Sequence, residues 1–173
     1  MHIPDFPAGP PTEADSLTPT QRRTCIEEIA DAPRRLREAV TGLSDAALDT
    51  KYRNWTIRQI VHHLADSHAH ALLRFKLALT EERPVIKPYD EAATVRLADS
   101  AGGDVESALL MIEGVHRRWV LLLQSMHETD FARSYIHPEH GRAFTLDQAL
   151  AGYPWHARHH VGQIAWLREQ NSW

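Results

Sequence analysis

The segment TIRQIVHHLADSHAHALLRFKLAL, residues 56–79, decides the fold class of this chain. Its apolar residues recur every three or four positions, which is the period of an amphipathic α-helix. They are Ile57, Ile60, Val61, Leu64, Leu72, Phe75 and Leu79. Thr56 has the residue type and position of an N-cap, and Pro84 ends the pattern after about Glu82. The segment therefore predicts a long helix with one buried face.

Three further segments show the same helical period, and each starts at a residue type that caps helices well. The first begins at Thr18 or Thr20 and ends near Gly42, the next begins at Asp104, and the last begins at Thr145. Four long amphipathic helices in one chain of this length predict an all-α protein, a four-helix bundle.

The remaining segments are predicted to connect or flank these helices. Residues 83–103 form a long crossover connection with a short helix of its own, and connections of that length are often functional. Residues 131–144 carry a proline and a glycine between short β-branched runs, which predicts a small hairpin before the last helix. Residues 1–17 contain four prolines and predict an extended N-terminal arm, so that residues 18–173 form a single domain.

Composition excludes several classes of function. The chain has 173 residues and a net charge of −4, so no basic excess is available to neutralise nucleic-acid phosphates. It has no apolar run long enough for a membrane span and no secretory signal pattern. The single cysteine, Cys25, cannot form an internal disulfide, which favours a reducing compartment; we expect a cytoplasmic protein. With 12 histidines, any transition-metal site would use imidazole rather than thiolate ligands.

Two histidines on the last predicted helix are spaced for metal binding. At about 100° per residue, His156 and His160 lie one above the other at the edge of the buried face, whereas His159 is expected to point toward water. Pairs of histidines at i and i+4 occur in metal sites. Two partly buried histidines bonded to backbone groups remain the alternative interpretation.

Periodicity leaves two interpretations open for the helix that begins after Thr56. His68 lies inside its apolar arc, whereas His63 lies on a flank shared with Ser67 and Arg74. A catalytic site in a bundle needs polar residues beside its ligands, which favours His63, but an ordinary solvated helix face would have the same composition.

The segment from Asn54 to His68 resembles the metal-binding helix of YfiT-type proteins, a branch of the DinB-like superfamily of four-helix bundles. Members of this branch are described as metal-dependent hydrolases by inference from their site. The similarity continues through five further stretches, at residues 74–82, 86–91, 116–119, 137–138 and 153–160. It covers nearly the whole chain after the N-terminal arm.

The resemblance implies a divalent metal ion, Zn²⁺ or Ni²⁺, one per subunit, bound by His63, His156 and His160 with water positions left open. It also implies a homodimer. Two features depart from the family pattern. Pro154 is expected to kink the last helix or to mark its restart near residue 155. Gly162 and Gln163 stand where relatives can carry a further histidine, and we do not expect that position to bind metal.

The favoured function is hydrolysis of a small-molecule substrate by water that the metal ion activates. The alternatives are a metal-dependent transferase of low-molecular-weight thiols, of the bacillithiol type, and a non-enzymatic metal-binding module of a stress response. Arg74 is a candidate for binding an anionic substrate group, and Asp66, Tyr89 and Asp90 are candidates for holding the ligand N–H groups. Because neutral imidazole is the ligand form, metal affinity is expected to fall below about pH 6.5.

Overall fold

The computed structural model describes residues 2–173. The helices of this part are α1 (Pro19–Val40), α2 (Asp45–Leu48), α3 (Ile57–Thr80), α4 (Glu91–Thr94), α5 (Ala98–Gly102), α6 (Val105–Ser125) and α7 (Leu146–Asn171). Two small antiparallel hairpins pair β1 (Lys51–Tyr52) with β2 (Trp55–Thr56), and β3 (Ser134–His137) with β4 (Arg142–Thr145). Within residues 2–173, no helix is long and apolar enough to cross a membrane.

The four long helices begin at the residues that the sequence predicts. Thr18, Thr56 and Thr145 each accept a hydrogen bond from the backbone N–H three residues later, and the glutamine at that position accepts one from the cap's own N–H. Asp104 caps α6 through its carboxylate. Each cap satisfies a backbone donor that the first helical turn leaves unpaired. These predicted starts, and the hairpin before the last helix, are therefore confirmed.

α7 is a single helix that continues through Pro154. The predicted restart near residue 155 is therefore wrong. Pro154 is buried in the interior of α7, where its ring contributes to packing, while its missing N–H removes one helical hydrogen bond.

The long helices form a closed ring in which neighbours in space are not all neighbours in sequence. α6 packs against α3 and α1, and α7 packs against α1 and α3. The first two long helices, α1 and α3, therefore lie diagonally across the bundle, as do α6 and α7. This four-helix bundle confirms the predicted all-α fold class.

A layer of histidines separates two apolar clusters in the bundle. One cluster contains Phe75, Trp119 and Leu150, and the other contains Ile60 and Ile164. Between them α3, α6 and α7 contribute imidazoles that are almost fully shielded from solvent, at His63, His68, His116 and His160. The fold thus places a set of polar rings at the middle height of an otherwise apolar core.

The N-terminal arm is tied to the bundle by polar contacts. Asp147, near the start of α7, accepts a hydrogen bond from the backbone N–H of Leu17 at 3.2 Å. The same carboxylate forms a two-point pair with the guanidinium of Arg22, at 2.7 and 2.8 Å. Their side chains are only 13% and 6% exposed. One buried carboxylate therefore joins the arm, α1 and α7.

We expect Asp147→Ala to reduce the free energy of unfolding by about 3 kcal/mol, because it leaves the nearly buried guanidinium of Arg22 with only a long contact, 3.5 Å, to the exposed carboxylate of Glu128. Urea unfolding followed by circular dichroism measures the change. Asp31→Ala is the matched control: it removes a carboxylate paired with Arg34 and Arg35 on the exposed face of α1. That substitution should cost less than about 1 kcal/mol. Equal losses in the two variants would contradict a special contribution from Asp147.

Candidate metal centre

Three histidines converge between α3 and α7. His63 comes from α3, and His156 and His160 come from adjacent turns of α7. Each offers one ring nitrogen, and these nitrogens lie within 4.8 Å of one another. The Nε2 atoms of His63 and His156 are 3.1 Å apart. Because zinc binds imidazole nitrogen at about 2.0–2.1 Å, two ligands of one ion are at most about 4.2 Å apart. This pair already meets that limit, and His160 needs at most a small side-chain adjustment.

The electrostatic environment keeps these imidazoles neutral. Burial lowers the pKa of both His63 and His156 to about 3, and it lowers the pKa of His160 well below its usual value. The proximity of the rings to one another lowers these pKa values further, since two imidazolium ions would repel. Neutral imidazole is the form that binds metal. We therefore expect any loss of metal affinity, predicted from the sequence to begin near pH 6.5, to begin at a lower pH in the folded protein.

Hydrogen bonds hold two of the three rings from the side away from the cluster. Nδ1 of His160 donates to the side-chain oxygen of Gln163 at 2.8 Å, and the amide of Gln163 donates to His159 at 2.9 Å. Nδ1 of His156 pairs with Nε2 of His68 at 3.1 Å. Such contacts orient metal-binding histidines in known sites. The residue expected not to bind metal, Gln163, thus contacts a candidate ligand instead.

An indole covers the third ring. The Trp55 ring lies 4.7 Å from the ring of His63 and stacks on His160 at 6.2 Å between centroids. Nδ1 of His63 is buried and has no hydrogen-bond partner in the part of the chain that the structure describes. Unlike the other two rings, His63 is therefore held mainly by packing and by its contact with His156.

A cleft of about 900 Å³ opens beside His156. Arg74, Tyr89 and Asp90 line it, as do Ser67, Tyr135, His137 and Tyr153. Arg74 donates a hydrogen bond to the hydroxyl of Tyr153 at 3.3 Å. Asp90 caps α4, accepting from the N–H of Ala93 at 2.8 Å. A substrate in this cleft would contact His156 and Arg74 together.

The three side chains that the sequence suggests as partners of the ligand N–H groups, Asp66, Tyr89 and Asp90, lie in different surroundings. Tyr89 stacks on His70 at 4.2 Å, and burial raises the pKa of its hydroxyl. Asp66 is not among the residues that line the cleft; burial raises the pKa of its carboxyl, with Asp99 adding to the effect. Among the described residues, none of Asp66, Tyr89 and Asp90 makes a hydrogen bond to the three clustered histidines. A direct contact of these side chains with a ligand N–H stays a prediction.

The environment of His159 differs from the sequence expectation. Its ring stacks on Trp155 at 4.9 Å and lies 6.0 Å from Phe6 of the N-terminal arm. The indole N–H of Trp155 donates to the carbonyl of Gly9 at 2.9 Å. The arm therefore covers the face of α7 that helical periodicity assigns to water. Periodicity describes one helix and contains no information about a distant segment that packs on it.

Sequence reasoning missed His116. It lies on α6 four residues after Ile112 and three residues before Trp119, on the same buried face, and only 2% of it is exposed. Its Nε2 is 2.7 Å from Nδ1 of His68, which itself is fully buried. The available signal was a polar residue in register with an apolar stripe.

Comparison with known proteins gives a consistent result. The model of the DinB superfamily matches residues 28–164. The chain is 40% identical to "Putative metal-dependent hydrolase YfiT" of Bacillus subtilis over 97% of this chain and 96% of that one. It is 42% identical to a relative of the same description from Bacillus pumilus, over 97% of each chain. The solved structure of Bacillus subtilis YfiT, described as a four-helix bundle of unusual topology, superimposes with a TM-score of 0.94 over 97% of each chain.

We expect the metal-free protein to lose stability as the pH falls below about 6.5. In the unfolded chain histidine binds a proton near pH 6.5, whereas the folded-state pKa is about 3 for His63 and about 4 for His116. Between these values the unfolded state holds more protons, so each such histidine removes at most about 1.4 kcal/mol of stability per pH unit. Urea unfolding of chelator-treated protein at several pH values measures the slope.

Two variants serve this measurement. His116→Gln removes one buried imidazole and should reduce the slope, whereas His127→Ala removes an exposed one and should leave it unchanged. A stability that does not change from pH 7 to pH 5 would mean that the folded state tolerates charged imidazoles in its core.

Proposed function

This chain belongs to the DinB superfamily, and we propose that it is a metal-dependent hydrolase of a small-molecule substrate. His63, His156 and His160 are proposed to bind one divalent ion per subunit, Zn²⁺ or Ni²⁺. The observation that carries the proposal is the convergence of three neutral imidazoles beside a cleft large enough for a small molecule. The description of its relatives as metal-dependent hydrolases supports it.

The donor set fits such an ion. Three protein ligands leave coordination positions open for water or substrate, as in catalytic rather than structural sites. Nδ1 of His160 is engaged by Gln163, which leaves Nε2 as the free donor atom. An ion bound there would supply Lewis-acid chemistry, polarising a substrate oxygen and activating water for attack.

The side chains of the cleft would bind and orient the substrate. Arg74 makes no ion pair with a carboxylate among the described residues, and it donates a hydrogen bond to the neutral hydroxyl of Tyr153. A guanidinium in that situation can form charge-assisted hydrogen bonds to a carboxylate or phosphate. Tyr153 lies one turn before His156 on α7, with 6.5 Å between the ring centroids. We therefore propose that Arg74 binds an anionic group of a substrate whose reacting group lies at the histidine cluster.

The homodimer implied by the family resemblance is also a proposal. α3 and α6 expose large apolar side chains that would gain from burial: Leu73, Leu110 and Leu121 are 57%, 58% and 68% exposed. Light scattering on the purified chain measures its mass in solution directly.

We expect His63→Ala, His156→Ala and His160→Ala each to weaken metal binding at least about 100-fold, because loss of a mere hydrogen-bond partner of a ligand already costs 10–100-fold. Isothermal titration with Zn²⁺ and with Ni²⁺, and elemental analysis of the purified protein, measure the effect. His70→Ala is the control, because His70 lies on α3 outside the cluster and bonds a backbone carbonyl. Normal metal content in all three cluster variants would refute the proposed site.

Activity assays on the metal-loaded protein decide among functions. Metal-dependent hydrolysis of ester or amide panels, lost in His156→Ala, supports the proposal. The same site could lower the pKa of a bound thiol rather than of water. Metal-dependent conjugation of thiols to electrophiles, without hydrolysis, would therefore replace hydrolase by thiol transferase. Metal binding with neither activity would favour a non-enzymatic module.

Arg74→Gln should raise the KM for carboxylate-bearing esters about tenfold, since a hydrogen bond to a charged group contributes about 1.5–3 kcal/mol. The KM for neutral esters and the metal content should not change. Lys76→Gln is the matched control, because Lys76 lies on the same helix but does not line the cleft. An equal rise in KM for charged and neutral esters would mean that Arg74 supports the shape of the cleft and not the binding of an anion.

A further inference from the structure

A chain of hydrogen bonds runs from the backbone of α1 to the metal centre. It passes through His116 and His68, which are not among the three clustered histidines. Nδ1 of His116 is 2.5 Å from the carbonyl oxygen of Ile29. Nε2 of His116 is 2.7 Å from Nδ1 of His68, and Nε2 of His68 is 3.1 Å from Nδ1 of His156. The last ring then presents its Nε2 to the cluster, 3.1 Å from His63.

The starting point of this chain follows from a proline in α1. In an α-helix the carbonyl of residue i accepts from the N–H of residue i+4. For Ile29 that residue is Pro33, which lies inside α1 and has no N–H. A buried carbonyl without a donor costs about 1–3 kcal/mol. His116 on the neighbouring helix supplies the missing donor.

The direction of every bond in the chain follows from that carbonyl. A carbonyl oxygen only accepts, so the proton of His116 lies on Nδ1. A neutral imidazole has one N–H, so Nε2 of His116 accepts, and the proton of His68 must also lie on Nδ1. Because the neutral ring of His68 also has only one N–H, its Nε2 accepts, and Nδ1 of His156 donates. Nε2 of His156 therefore keeps its lone pair.

Burial leaves these rings no other arrangement with all bonds made. His68 is fully buried, and His116 is 2% exposed. Their ring planes differ by only 10° and their centroids are 4.9 Å apart, so the rings meet edge to edge through the 2.7 Å hydrogen bond, and the indole of Trp119 packs edge-on against both. If either ring carried its proton on Nε2 instead of Nδ1, two N–H groups or two lone pairs would face each other, with no water to separate them.

We propose that His68 and His116 are positioning residues of the metal centre. Through them the Ile29 carbonyl, which can only accept a hydrogen bond, fixes the proton of His156 on Nδ1, so that Nε2 keeps its lone pair for a cation. This inference rests on the proposed metal site and adds two residues from outside the ligand set. It also explains why a buried polar pair is placed on α3 and α6 in a core that apolar side chains would otherwise fill.

The first test needs neither a metal ion nor a substitution. Long-range ¹H–¹⁵N correlation spectra of ¹⁵N-histidine-labelled, metal-free protein distinguish the two neutral tautomers of each imidazole. We expect the Nδ1–H form for His116, His68 and His156. An Nε2–H form at His68 or His156 would overturn the proposal.

The second test uses two substitutions at one position. His116→Phe keeps an aromatic ring beside His68 but removes both polar atoms, whereas His116→Gln keeps one donor for Ile29 and one acceptor for His68. The phenylalanine variant should lose the Nδ1–H preference at His68 and His156 and bind Zn²⁺ about 10–100-fold more weakly. The glutamine variant should retain the His156 tautomer and most of the affinity.

Circular dichroism and thermal unfolding show whether both variants are folded, and the spectra of the unsubstituted protein decide the question if one is not. Equal Zn²⁺ affinity and equal tautomers in the two folded variants would overturn the proposal. If the unsubstituted protein binds neither Zn²⁺ nor Ni²⁺, the proposed function fails, while the tautomer spectra still decide whether the chain of bonds exists.

Discussion

The structure depends on keeping several imidazoles neutral and hydrogen-bonded in the middle of a helix bundle. Water cannot reach most of these rings, so each unpaired nitrogen would cost free energy that an apolar side chain would not. The carbonyl of Ile29, which can only accept, bonds His116, and the rings of His68 and His156 continue the chain of hydrogen bonds from it. A separate contact, from His160 to the side-chain oxygen of Gln163, pairs another ring of the cluster.

The bundle topology makes this arrangement possible. The rings come from three helices, and the diagonal placement of α1 and α3 brings α6 and α7 to both sides of α3. Apolar clusters above and below the histidine layer hold those helices in place, so the ring positions depend on packing as well as on hydrogen bonds. A site built on helices in this way is preorganised before any cation binds.

The sequence predicts local features of this molecule better than the contacts between distant segments. Thr56, Asp104 and Thr145 identify helix starts because capping is a short-range interaction between a side chain and the next backbone amides. The short β1–β2 hairpin and the cover of His159 were missed, since two-residue strands carry no period and the arm is remote in sequence. His116 was missed for another reason: helical periodicity places it in the core but says nothing about which ring nitrogen meets which partner.

The neutrality of the surrounding partners has a consequence for the proposed chemistry. In many metal sites a carboxylate accepts the ligand N–H and adds negative charge near the ion. Here His156 and His160 donate to a neutral imidazole and a neutral amide, so the three proposed ligands and these two partners would leave the charge of a divalent ion undiminished. An ion with more residual charge is a stronger Lewis acid and attracts anions more strongly. Such an ion and the guanidinium of Arg74, which forms no ion pair within residues 2–173, would attract the anionic group of the proposed substrate. The carboxylates of Glu13, Asp15, Asp90, Glu91 and Glu139, which line the same cleft, would oppose that attraction.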